Sequence, residues 1–166
     1  AGYRARVVER IPYDELSMFH ENAEEFGIVL TDPPAVRRES VDVGDGRQLS
    51  ALVWGTDPPE LVFLHGGAQN AHTWDTVALA LGRPLVAVDL PRHGHSDGGR
   101  NGSSAVADNA LDVATTIRAL APAARGVVGM SLGGLTAIRI ASTRPDLVQR
   151  LVVVDVTPGV DEVKAA

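Results

Sequence analysis

Residues 126–141 read GVVGMSLGGLTAIRIA: an apolar run ends at Gly129, a lone hydroxyl stands at Ser131, and a second apolar run follows two further glycines. Gly129-Met130-Ser131-Leu132-Gly133 is a G-x-S-x-G pattern between a strand pattern and a helix pattern, the setting of a serine held on a sharp strand-to-helix bend. Reversing the chain that tightly forces the central residue into strained backbone. It also calls for glycines on either side, where Cβ atoms would collide. The serine oxygen then sits at a helix N-terminus, whose unpaired N–H groups favour developing negative charge. That arrangement suits attack on a carbonyl, with Ser131 as nucleophile. The competing reading is a serine that merely caps the next helix.

Acyl transfer also needs two N–H donors aimed at the oxyanion. Leu132, directly after the serine, supplies one. The loop LHGGAQN is the expected source of the second, through Gly67, which has no side chain to block an approaching carbonyl. Ala68 is the alternative donor.

These residues have to be carried by regular elements, and the hydrophobic pattern supplies them. Residues 13–27 place Tyr13, Leu16, Phe19, Ala23 and Phe26 at helical spacing, with Gly27 as a stop. RRESVDV and QLSALVWG read as strands joined by a hairpin through Asp45-Gly46. LVFLHG, PLVAVDLP and GVVGMS read as buried strands and RLVVVDVTP as a fourth. Between them NAHTWDTVALALG puts Trp74, Val77, Ala78 and Leu81 on one helical face, closed by Gly82. Val106, Ala110, Val113, Ile117 and Leu120 mark a second helix, and GGLTAIRIAS a third. Such alternation predicts a doubly wound, mostly parallel α/β sheet with right-handed crossovers. Ligands of these sheets bind beyond the carboxyl ends of the strands, where HGGAQN, DLPRHGHSDGG, GMSLGG and DVTPG fall.

Composition narrows the function classes. The 166 residues suit one domain, with 45% apolar residues, 22% charged residues and a net charge of −6. No basic patch argues for nucleic acid. The absence of cysteine excludes disulfides and thiolate metal sites and fits a reducing cytoplasm. No apolar run approaches the ~20 residues of a membrane span, and AGYRARVVERIP lacks the apolar core of a signal peptide. Without metal-ligand spacing or a phosphate-binding glycine fingerprint, no metal or organic cofactor is expected.

Taken together and in order, LHGG with Trp74, VAVDLPRHGHSD, VVGMSLGG and RPDLVQRLVVVDVTP resemble the α/β-hydrolase family of esterases, lipases, C–C hydrolases and cofactor-free haloperoxidases. The resemblance implies a sheet of which strands 1–6 are present and the last two are absent from this chain. It divides the chain into a helical extension (1–34), the hydrolase core (35–160) and the start of a cap or linker (161–166). A serine at the nucleophile position also sets the chain apart from the haloalkane dehalogenases and epoxide hydrolases of the fold, which use aspartate there.

The family's triad runs Ser, then Asp or Glu, then His. Here all five histidines, His20, His65, His72, His93 and His95, precede Ser131. His65 is expected to hold its turn, His93 and His95 to shape their loop, and His20 and His72 to be structural or solvated. Asp155, ending the last strand, is a possible acid at a position a minority of relatives use, or else a residue bonding its own loop. Asp89 is expected to anchor a loop. Two accounts fit. In one, a second polypeptide carries the acid and histidine of a longer hydrolase, because a sheet short of two strands exposes an unpaired edge. In the other, the chain is a non-catalytic binding relative that kept the elbow. The expected function is a serine hydrolase acting on a small acyl substrate, with C–C hydrolysis or perhydrolase chemistry as the alternative.

Overall fold

A computed structural model describes residues 14–156. In these residues six strands form one sheet: β1 (Val36–Gly44), β2 (Arg47–Trp54), β3 (Leu61–Leu64), β4 (Leu85–Val88), β5 (Gly126–Met130) and β6 (Leu151–Val154), in the spatial order β1-β2-β4-β3-β5-β6. β1 and β2 are antiparallel, β2 meets β4 antiparallel, and β4, β3, β5 and β6 run parallel. The β1–β2 turn places Asp45 and Gly46 at φ 59° and 71°, the pair of left-handed residues a two-residue hairpin demands. Among the described residues four α-helices accompany the sheet: α1 (Phe19–Glu25), α2 (Asp75–Leu81), α3 (Val106–Leu120) and α4 (Leu132–Thr143).

Strand alternation divides the core between the two faces of the sheet. On β2, Leu49, Ala51 and Val53 join Val113 and Ile117 of α3 and Ala137 and Ile140 of α4. Leu52 and Trp54 point the other way, joining Phe19 of α1 and Ala78 and Leu79 of α2. Each large apolar side chain buried this way contributes about 1.5–3 kcal/mol before chain entropy is charged against it. β3 and β4 are covered on both faces and are almost wholly buried, as continuous apolar runs should be. Val152, Val153 and Val154 of β6 are instead exposed by 53%, 45% and 40%. β6 is an edge strand with β5 as its one neighbour among the described residues.

Two helical expectations need correction. The N-terminal helix is a seven-residue α1, preceded by a turn in which Leu16 N–H and the Ser17 hydroxyl bond Asp14. The Asp14 bonds close a separate turn and regular helix begins only at Phe19, while Phe26 is 61% exposed rather than on the packed face; Tyr13 lies outside the described residues. On α2, Val77 and Leu81 are exposed, while Trp74, Ala78 and Leu79 are buried. A 3-10 turn at Ala71–Trp74 leads into α2 and rotates its apolar face by about one residue.

Candidate active site

The elbow forms where β5 passes into α4. Ser131 adopts φ 48°, ψ −114°, a strained conformation for a residue bearing a Cβ. The residue is exposed, and its side chain makes no capping bond to the helix. That absence removes the capping interpretation. The bend is held instead by backbone: Ser131 N–H donates to Val154 O at 3.0 Å, and Leu135 N–H to Ser131 O at 2.9 Å. Glycines make the approach possible. A Cβ on Gly129 would lie 2.5 Å from Gly133 O, and one on Gly133 would lie 2.5 Å from His65 O and collide with Leu64 O. Helix α4 is therefore docked directly on the end of β3.

This docking brings the loop after β3 against the serine, since a Cβ on Gly66 would meet Ser131 Cβ at 3.5 Å. Gly67 is exposed with nothing within 4 Å of its Cβ position. Among the described residues neither the Gly67 nor the Leu132 N–H has an acceptor. The alternative donor, Ala68, is committed elsewhere: its N–H donates to His93 Nε2 at 3.1 Å. Gln69 stiffens the loop by accepting the Gly66 N–H at 2.8 Å.

None of the described histidine contacts involves Ser131. His65, fully buried, accepts the Leu90 N–H at Nε2 (3.0 Å) and has Nδ1 2.7 Å from Gly66 O. Burial lowers its pKa and keeps the ring neutral. His93 has Nδ1 3.0 Å from Pro91 O. His72 sits between Asp75 (2.7 Å) and Glu15 (3.3 Å), and the Asp75 hydrogen bond raises its pKa. His95 Nε2 lies 3.8 Å from the same Glu15 carboxylate. His20 is exposed on α1.

The carboxylates divide as sharply. Asp89, fully buried after β4, accepts Ala71 N–H (2.7 Å), Arg38 (2.8 Å) and His95 N–H (3.1 Å), and so ties three segments together. Arg38 continues the network to Glu15, whose pKa its hydrogen bonds pull from 4.5 to about 2. Sequence reasoning missed this hub, which joins positions 23 and 51 residues apart with no motif to announce it. Asp155 follows β6 in a left-handed conformation (φ 52°) and is exposed. Met130 pairs with Val154, so Ser131 and Asp155 each stand one residue beyond a paired position on neighbouring strands. The expected loop hydrogen bond from its carboxylate is not present among the described residues.

The alpha/beta hydrolase fold model matches residues 59–164. The chain belongs to the α/β-hydrolase family. This α/β-hydrolase chain is 52% identical over 146 residues to esterase Rv0045c of Mycobacterium tuberculosis, covering 88% of the chain and 47% of that protein. A crystal structure of that esterase superposes with a TM-score of 0.82 at 51% identity, over 90% of this chain and 51% of the other. A pimeloyl-[acyl-carrier protein] methyl ester esterase of Nitrosomonas europaea is 42% identical over 103 residues, 60% of this chain and 38% of that protein. The chain thus spans about half the length or less of these relatives. It is an esterase-like α/β hydrolase, and among its described residues no helix is long and apolar enough to cross a membrane.

Proposed function

We propose that the chain carries the nucleophile and oxyanion hole of a serine esterase that cleaves a carboxylic ester or related acyl substrate. Ser131 attacks the acyl carbonyl, and the carbonyl electrons collect on an oxygen facing the Gly67 and Leu132 N–H groups. Collapse of that intermediate expels the alcohol and leaves an acyl-serine, which water then hydrolyses. The observation that carries this reading is the strained, exposed Ser131, free of any capping bond, at the start of α4. Similarity to proteins described as esterases supports the substrate class.

We place the general base beyond these residues, since none of the described contacts of the five histidines reaches Ser131. His65, His72 and His93 have both ring nitrogens engaged by other groups. A histidine and an acid would arrive with a segment that pairs along β6, whose valines are 40–53% exposed and whose outer edge has no strand beside it among the described residues. Asp155 is a second possible source of the acid. Whether that segment is continuous with this chain or a companion polypeptide is read from the mass of the intact preparation.

A fluorophosphonate probe tests the proposal on the catalytically complete protein. Wild type should be labelled at Ser131, and Ser131→Ala should lose both label and turnover while keeping its melting temperature. A folded, complete sample that resists the probe would instead favour the non-catalytic binding module. C–C hydrolysis is separated from ester cleavage by assaying both substrate types.

A further inference from the structure

Two imidazoles bind the loops after β3 and β4 to each other reciprocally. His65, on the first loop, accepts the Leu90 N–H of the second at 3.0 Å. His93, on the second loop, accepts the Ala68 N–H of the first at 3.1 Å. The rings meet edge to face, with centroids 5.1 Å apart. A backbone N–H can only donate, so each Nε2 is the unprotonated acceptor and the ring proton is on Nδ1. Both Nδ1 atoms face carbonyls, Gly66 O at 2.7 Å and Pro91 O at 3.0 Å, which can only accept. Every hydrogen-bonding position of the pair is thereby satisfied by one tautomer of each ring.

The consequence falls on Gly67. Its N–H belongs to the same planar trans peptide as the Gly66 carbonyl, so the two groups point in opposite directions. Drawing Gly66 O onto His65 Nδ1 turns the Gly67 N–H away from the His65 ring and polarises it. The next peptide is fixed by its own N–H, that of Ala68, on His93. Ala68 is held at φ 58°, a conformation that residues other than glycine seldom adopt unaided. Gly67 itself has no side chain and no neighbour within 4 Å of its Cβ position. The direction of its N–H therefore depends on the two flanking peptides.

We propose that His65 and His93 act as a reciprocal clasp that positions the Gly67 N–H for the oxyanion. Neither ring touches the reacting atoms. Both are positioning residues, and the claim rests on the Ser131 reading above.

His65 is fully buried and its variants risk misfolding, so the test uses His93, which is only half-buried. In the catalytically complete protein, His93→Ala should lower kcat about tenfold, less than the loss of a whole oxyanion donor, and leave KM within about twofold. Exchange of the Ala68 amide hydrogen should accelerate in the same variant. His93→Gln places a carbonyl oxygen near the position of Nε2; it should recover most of the lost turnover and slow Ala68 exchange again. Wild-type kcat in His93→Ala overturns the proposal. So does a loss of turnover that Gln fails to recover although Ala68 is protected. The exchange measurement reads the clasp without reference to chemistry. Undiminished turnover in Ser131→Ala would instead remove the catalytic reading, and the proposal with it.

Discussion

Replacing Gly133 by alanine tests the docking of α4 on β3. Alanine is the better helix former, by about 1 kcal/mol, and φ at Gly133 lies outside the left-handed region, so local propensity favours the change. The tertiary surroundings oppose it. The new methyl would lie 2.5 Å from His65 O and collide with Leu64 O. Both are backbone atoms at the end of a central strand, and the His65 ring is itself bonded to Leu90 and Gly66. With no flexible side chain to yield, the overpacking cost falls near the top of the usual range, about 3 kcal/mol. The net loss is about 2 kcal/mol, which for a chain of this size lowers the melting temperature by about 4–8 °C. Thermal unfolding followed by circular dichroism measures it, with Gly98→Ala as control because a Cβ there meets nothing within 4 Å. A Gly133→Ala protein as stable as wild type, or more so, would refute the close-packed elbow. Fluorophosphonate labelling of Ser131 should slow in the same variant, since α4 cannot shift without moving the serine.

Gly67→Ala should behave in the opposite way. With open space around its Cβ, the folding free energy should stay within about 0.5 kcal/mol of wild type by urea unfolding, while turnover in the complete protein falls. Asp112, fully buried on α3, bonds Arg47 twice (2.6 and 3.0 Å) and Arg100 once (3.1 Å). Asp112→Ala leaves the partly buried Arg47 unpaired and should cost about 3–5 kcal/mol, seen as a large drop in the denaturation midpoint. Glu15 links Arg38 to the N-terminal segment and titrates near 2 in the folded chain against a reference value of 4.5. Because its folded pKa is the lower, its stabilising contribution is complete above about pH 4.5 and disappears as pH falls toward 2. Glu15→Gln should flatten that part of the acid-unfolding curve. His72 has a raised pKa and the opposite sign. Its contribution is present below its ordinary value of 6.5 and is lost as pH rises through the raised one, and His72→Gln should remove that dependence.

The parts of the molecule legible in the sequence were those written in short-range pattern. G-x-S-x-G between two apolar runs specified the bend at Ser131, because strand, turn and helix signals all lie within a few residues. Asp45-Gly46 specified its hairpin for the same reason. The face of α2 was misread at Val77 and Leu81 because the 3-10 turn through Ala71–Trp74 changes the helical phase, and no spacing rule registers that. The sequence marks Asp89 as a loop anchor and His65 and His93 as loop-holding residues, but their partners in the Glu15–Arg38–Asp89 hub and the His65–His93 pair were not legible, for a deeper reason. They are contacts between segments far apart in the chain, Arg38 on β1 and the others in turns and loops, set by how the sheet arranges its strands. No local spacing names the partner of a charged or imidazole side chain. That Ala68 would have its N–H taken by His93 follows only once β3 and β4 are known to be neighbours.

Val152, Val153 and Val154 form a sticky, hydrogen-bond-hungry margin when nothing lies beside them. A solution of this polypeptide by itself should clump as it is concentrated, with strands from separate molecules zipping together along that margin. A lysine in place of Val153 should keep the molecules apart, and light scattering against concentration will measure the difference.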